Sequence, residues 1–311
     1  MIIPASTHVG RLSLESRHMP AAKGAGGDIH DAMATPFGIR LLIGDVMGTG
    51  ELAHRTGLSV LNAWRELAWT EPYLPDIAGR LHAVITRSDH PERFVTALLV
   101  NFPASRDPDA DSVSWSRAEL VCCGHPPPLL LRGGSAAFIE LHPAPPLGLL
   151  DLTGGRCQPS TFGVDAGDQL LLYTDGVSEA RDAAGRFFPL ADRAAQAGLA
   201  QAGPPISSAV SPAGPHLLDE LVTGLTDHVG GRVTDDVLLL LASVSLATPQ
   251  AGQSWGIVIT SPRAAWPAGM KLCRGKVRGE EAGHGGSTAA RADSVARPEA
   301  ALPRRRRHYP A

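Results

Sequence analysis

Four times along this chain a carboxylate stands at the edge of an apolar, strand-like run. Asp45 ends Leu41-Leu42-Ile43-Gly44 and enters the glycine-rich Val46-Met47-Gly48-Thr49-Gly50. Asp175 ends Leu170-Leu171-Leu172-Tyr173-Thr174, while Asp235 and Asp236 lead into Val237-Leu238-Leu239-Leu240-Leu241. Asp28 follows the pair Gly26-Gly27. Strand ends deliver polar groups to the rim of a sheet, and acids gathered there repel one another. Either they take up protons or a cation sits among them. Hard divalent ions prefer oxygen ligands, and magnesium keeps several waters while using few carboxylates. Any one Asp-Gly alone reads as a turn, because both residues suit turn backbones; four such sites in sequence favour a cluster.

The rest of the composition frames that reading. A chain of 311 residues, 43% of them apolar, holds one large domain with a full core or two small ones. Only 5% is aromatic, so the core is expected to be Leu, Val and Ala. The four cysteines, Cys122, Cys123, Cys157 and Cys273, show neither zinc spacing nor a disulfide framework. The N-terminus lacks a basic segment followed by a sustained apolar one, and no stretch has the length of a membrane span. A reducing, cytoplasmic setting without a membrane partner is expected.

Charge divides the chain. From residue 248 onward there are 11 Lys and Arg against 4 Asp and Glu, leaving about −10 on residues 1–247. Residues 248–311, with Arg304-Arg305-Arg306-Arg307 and scattered Gly, Pro and Ala, show no amphipathic period and are expected to form a disordered basic tail. Nucleic acid is not an expected partner.

Residues 11–18 alternate and predict a first strand, with residues 24–27 a flexible entry to Asp28. Further strands are predicted over 37–44, 94–102, 113–123, 156–164, 168–174 and 237–244, with a hairpin from 129–132 to 136–141 across Gly133-Gly134. Helical spacing runs from Gly50 to Trp69, with Leu52, Leu58, Leu61, Trp64 and Leu67 among its apolar positions. Helices are also predicted over 76–87, 190–202 and 216–228. Many strands, two helix pairs and no regular βαβ alternation argue against a doubly wound sheet.

Six motifs stand in one order: Gly26-Gly27-Asp28, Gly44-Asp45-Val46-x-Gly48-x-Gly50, Cys123-Gly124-His125-Pro126-Pro127-Pro128, Pro145-Pro146-Leu147-Gly148, Tyr173-Thr174-Asp175-Gly176-Val177-x-Glu179-Ala180, and Asp235-Asp236-Val237. Together they resemble the metal-dependent serine/threonine protein phosphatases, in the bacterial branch typified by the sporulation protein SpoIIE and the stressosome-type regulators of sigma factors. The likeness covers roughly residues 10–245. It implies an α+β fold, a four-layer αββα sandwich of two antiparallel sheets flanked by helix pairs, over a domain at 1–247. It also implies two divalent ions, Mn2+ or Mg2+. Asp45 would bridge them with the Val46 carbonyl as a further ligand, Asp28 would hold one, Asp175 and Asp235 the other, and Asp236 would stand beside them. The implied substrate is a phosphorylated regulatory protein, by analogy an anti-anti-sigma factor, hydrolysed by direct attack of a metal-bridging water.

Three positions depart from the family pattern. Thr49 stands where the turn after Asp45 usually has His, Ile29-His30 replaces an aromatic pair, and Cys122-Cys123 stands where Asn-Ala is usual. None removes a predicted ligand, but Thr49 keeps open the alternative of a weak or inactive metal-stabilised binding module. His125 is a weak candidate for substrate contact, since a lone His at a turn is more often structural than catalytic. Lys23, near the spot where eukaryotic relatives carry a phosphate-binding Arg, is a weaker candidate for substrate contact than a guanidinium. Asp31 and Glu179 flank motifs and fit turn caps equally well. A diguanylate cyclase reading of Gly-Gly-Asp fails because Ile29-His30 follows it, and no Gly-Lys-Ser/Thr phosphate loop occurs.

Overall fold

A computed structural model describes residues 6–9, 12–21, 26–103, 117–201, 214–231 and 233–244. Lys23 and the expected tail at 248–311 lie outside the described residues, as do residues 113–116 of the strand expected over 113–123.

The chain opens with strands β1 (Ser6–Val9), β2 (Leu12–Met19), β3 (Asp28–Thr35) and β4 (Gly38–Val46), then helices α1 (Glu51–Thr70) and α2 (Leu74–Thr86). There follow β5 (Val95–Pro103), β6 (Ala118–Cys123), the hairpin β7 (Leu129–Arg132) and β8 (Ser135–Phe138), and the short β9 (Pro143–Ala144). A single 3-10 turn, Leu150–Thr153, precedes β10 (Ser160–Phe162) and β11 (Gln169–Tyr173). The series ends with α3 (Asp175–Ser178), α4 (Leu190–Gln201), α5 (Gly214–His228) and β12 (Val237–Val244).

Two sheets result. One has the order β1-β2-β12-β11-β7-β8, the other β10-β6-β5-β4-β3 with β9 alongside β6. Every pairing is antiparallel except β6 with β9. The layering follows from the strands' period of two. Leu41, Ile43, Leu98 and Val100 of one sheet meet Leu12, Leu14, Leu172 and Leu240 of the other in the central core. The intervening residues point outward. Leu42, Leu99 and Val121 pack under α1 and α2, while Leu171, Leu239 and Leu241 pack under α4 and α5. Because both faces of the central strands are covered, Leu238-Leu239-Leu240-Leu241 reads as an unbroken apolar run rather than an alternating one. This is the αββα sandwich that the resemblance implied.

Helix α1 buries Ala53, Gly57, Val60, Leu61, Trp64, Leu67 and Ala68. Leu58, expected on that stripe, is instead 36% exposed. Gly57 is required by close packing, since a Cβ there would stand 2.9 Å from Ile29 Cγ2. At the far end of α1 the fully buried Arg40 donates to the carbonyls of Ala68, Glu71 and Pro72 at 2.8, 2.5 and 2.6 Å. It thereby satisfies acceptors that the helix end leaves open.

Strand β3 departs from the sequence expectation, which had a flexible entry to Asp28 and no strand between residues 18 and 37. Its sequence, with two Asp, a His and two Ala, carries little β preference. An eight-residue ladder to β4 imposes the strand, and β3 lies at the edge of its sheet.

Candidate metal centre

The ladder between β3 and β4 sets Asp28 directly opposite Asp45, and Asp45 in turn lies opposite Thr96 of β5. On the other sheet, the Thr174 amide donates to the Leu238 carbonyl, and the Leu238 amide donates back to Thr174 Oγ1. That clamp holds the end of β11 against the start of β12 and brings Asp175 beside Asp235 and Asp236. Thr174 is fully buried and donates its hydroxyl to Asp28 Oδ2 at 3.2 Å, joining the rims of the two sheets.

Glycines make the close approach possible. A Cβ on Gly26 would lie 0.9 Å from Asp236 Oδ2, and one on Gly27 would lie 2.3 Å from the Val46 carbonyl oxygen and 2.6 Å from Asp45 Oδ1. A Cβ on Gly176 would lie 1.9 Å from the Asp236 carbonyl oxygen. The Gly27 carbonyl also accepts the Val46 amide at 3.1 Å. Thus Gly-Gly-Asp is more than a turn: both glycines leave room for carboxylates contributed by distant segments.

The acids feel one another. Burial pushes Asp28 up to about 8, with Asp45, Asp236 and Asp175 adding repulsion and the Thr174 hydroxyl opposing it. Burial, then Asp175, Asp235 and Asp236, pushes Asp45 up to about 7. Asp175 is raised by burial and by Asp235 and Glu179. Asp236 is 4% exposed; its Oδ1 accepts the Ala21 amide at 2.6 Å, and its Oδ2 has no hydrogen-bond partner. Asp235 Oδ1 accepts the Asp236 amide at 2.8 Å.

These features suit a hard divalent cation. The donors are all oxygen, a buried carboxylate oxygen is unpaired, and mutual repulsion is uncompensated. Among the described residues, no three His, Cys, Asp or Glu side chains close tightly enough to chelate an ion by themselves. The carboxylate oxygens gathered here are of the kind that suits a hard cation keeping several waters.

His125 lies beside Thr96. It is 5% exposed, and burial lowers its pKa to about 3, so the ring is neutral. Thr96 Oγ1 receives the Asp45 amide at 3.2 Å and lies 3.1 Å from His125 Nδ1. Nε2, buried on the other side of the ring, has no hydrogen-bond partner. The buried ring braces β5 and the Asp45 backbone. Asp31 likewise serves the fold, accepting Arg65 Nε at 2.8 Å and the Ala32 amide at 3.0 Å. Thr49 is exposed on its turn.

Sequence reasoning missed two contributors, Thr96 and Thr174, since a threonine in a strand carries no chemical signal until its neighbours are known. It also missed Arg93, whose Nη1 donates to the Met47 carbonyl beside Gly48. Two surface clefts of about 480 and 490 Å3, near residues 181–186 with 227–230 and between α4 and α5, include none of these acids.

A paired-sheet sandwich with helices on both outer faces, and aspartates converging where the two sheets meet, defines a domain of the metal-dependent protein phosphatase class. The family model of Stage II sporulation protein E (SpoIIE) matches residues 35–245. The chain belongs to the SpoIIE family. Among solved structures, the RsbU and RsbW domains of a Mycobacterium tuberculosis protein align with 25% identity and a TM-score of 0.62, covering 78% of this chain and 63% of that one. The phosphatase domain of Bacillus subtilis SpoIIE with a fragment of its regulatory domain aligns with 14% identity and a TM-score of 0.57, covering 78% and 66%. RsbX, solved in complex with magnesium, gives 13% identity and a TM-score of 0.53, covering 77% and 98%. The chain thus spans just under two thirds of the length of the first two. Among the described residues no helix is long and apolar enough to cross a membrane.

Proposed function

We propose that this chain is a metal-dependent protein serine/threonine phosphatase that acts on a phosphorylated regulatory protein in the cytoplasm, by analogy an anti-anti-sigma factor. The observation that carries the reading is the meeting of Asp28, Asp45, Asp175, Asp235 and Asp236 across two sheets, held by Thr174 and by glycines that leave room for them. Kinship with RsbU-type and SpoIIE domains supports the substrate class.

In this reading Asp28, Asp45, the Val46 carbonyl, Asp175 and Asp235 would hold a pair of magnesium or manganese ions. When bound, the pair supplies an activated water and offsets charge on the phosphoryl group. The chain's own residues do the positioning. Thr174 orients the Asp28 carboxylate, Thr96 and His125 fix the Asp45 backbone, and Asp236 anchors the strand-leading Asp235. No side-chain nucleophile is needed, so hydrolysis is by direct attack of water and leaves no phosphoenzyme.

The test is hydrolysis of p-nitrophenyl phosphate and of a phosphoserine peptide with manganese and then with excess chelator. Activity that requires the metal and is lost in Asp45→Ala and Asp175→Ala is expected. Variants as fast as the parent would remove the site assignment. A parent inert with every divalent ion, yet still binding a phosphorylated partner, would make this a binding module and give Thr49 its meaning.

A further inference from the structure

Period-two alternation sends the adjacent cysteines of β6 in opposite directions. Cys122 joins the core between the sheets, and its thiol donates to the His125 carbonyl at 3.1 Å. Cys123 joins the core under α1 and α2, where its Sγ lies 3.4 Å from Cys157 Sγ. Both of these thiols are free and buried, Cys123 fully and Cys157 to within 7%. Cys157 is the buried anchor of an otherwise exposed loop, since Asp151, Leu152, Arg156, Gln158 and Pro159 around it all face solvent. Left-handed Gly154 and Gly155 turn that loop.

The pair is asymmetric. Either thiol can donate to the other; contact with Cys123 lowers Cys157 from the usual thiol value, while the same contact and burial raise Cys123. A thiol of lowered pKa on a loop that can open locally is the one an oxidant meets first. A second thiol in contact with it is placed to resolve the product. Closing 3.4 Å to a bond of about 2.0 Å asks for a shift of little more than 1 Å, which the exposed loop can supply.

We propose that Cys123 and Cys157 form a reversible disulfide site oxidised by hydroperoxides. The Cys157 thiolate attacks the peroxide O–O bond, giving a sulfenic acid and, with one proton, releasing water or an alcohol. The Cys123 sulfur then displaces hydroxide from that sulfenic acid, its proton leaving as a second water. Two thiols are oxidised by two electrons, and the peroxide is reduced by the same two. The bond ties the 151–159 loop to the end of β6, one residue before Gly124-His125 and hence next to the brace that holds Thr96 and Asp45.

The experiment treats the full chain with hydrogen peroxide and follows thiol titration, intact mass and non-reducing peptide mapping. The expected result is a fall from four titratable thiols to two, a loss of about 2 Da, and a linked Cys123–Cys157 peptide that dithiothreitol reverses. Cys122→Ala should form the same link at an unchanged rate. Cys157→Ala should slow peroxide-dependent thiol loss at least tenfold, and Cys123→Ala should let Cys157 pass to the sulfinic acid. Four thiols surviving in the parent while a small-molecule thiol control oxidises would overturn the proposal. A link through Cys122 or Cys273 would do so equally. None of these readouts uses phosphatase activity, so the outcome is separate from the functional reading above.

Discussion

Removing a carboxylate from the cluster should make the metal-free protein more stable even as it disables the site. Asp28→Asn is the sharpest case, because the amide keeps the shape and can still accept the Thr174 hydroxyl. The Asp28 carboxyl lies near 8 in the folded protein against an ordinary value of 3.8. Each pK unit corresponds to about 1.4 kcal/mol, so the ceiling is near 6 kcal/mol. Water reaching the rim and an effective dielectric of about 20 reduce this to roughly 2 kcal/mol. The sign follows from linkage. The folded protein binds the proton more tightly than the unfolded chain, so this group's contribution is fully present below about pH 4 and is lost as pH rises through about 8. The substituted amide cannot ionise and escapes that loss. In chelator at pH 8.5 the variant should melt roughly 4–8 °C above the parent, and the gap should close as pH falls towards 4. With manganese at about a hundred times its dissociation constant, the parent should gain about 2.7 kcal/mol and the order should reverse. Thermal melts of both proteins across pH 5–9, with and without metal, decide it. A variant no more stable than the parent at pH 8.5 in chelator, or a gap that ignores pH, would refute the electrostatic argument.

Three further outcomes are expected. Gly26→Ala should displace Asp236, whose Oδ2 would lie 0.9 Å from the new Cβ, and should lower manganese-dependent kcat/KM by about 10–100-fold in a steady-state assay. Arg40→Met should leave the Ala68, Glu71 and Pro72 carbonyls without their donor and cost about 3 kcal/mol, read as a Tm lower by roughly 6–12 °C. His125 is neutral down to about pH 3, so kcat should show no imidazole limb between pH 5 and 8. His125→Ala should nonetheless lower kcat about tenfold by freeing Thr96, with the profile's shape unchanged, and a new limb near pH 6.5 in the parent would contradict the buried brace.

The apolar runs and the acids at their ends were legible without coordinates, because strand periodicity and glycine-flanked aspartates are local patterns. So were the helices at 51–70 and 190–201, whose apolar spacing needs no partner to be seen. What the chain alone could not disclose were relations between distant residues. Strand β3 exists because β4 offers it a ladder, not because Asp-Ile-His-Asp-Ala-Met-Ala-Thr favours extension. The glycines at 26 and 27 are explained by Asp236 and Val46, which arrive from elsewhere in the fold. His125 looks available in a Gly-His-Pro turn, yet packing buries it behind Thr96, and Cys157 meets Cys123 across 34 positions. Local composition therefore determined which groups this protein could bring to chemistry. Tertiary packing decided which of them share a rim, because burial and mutual repulsion depend on distance in space rather than along the chain.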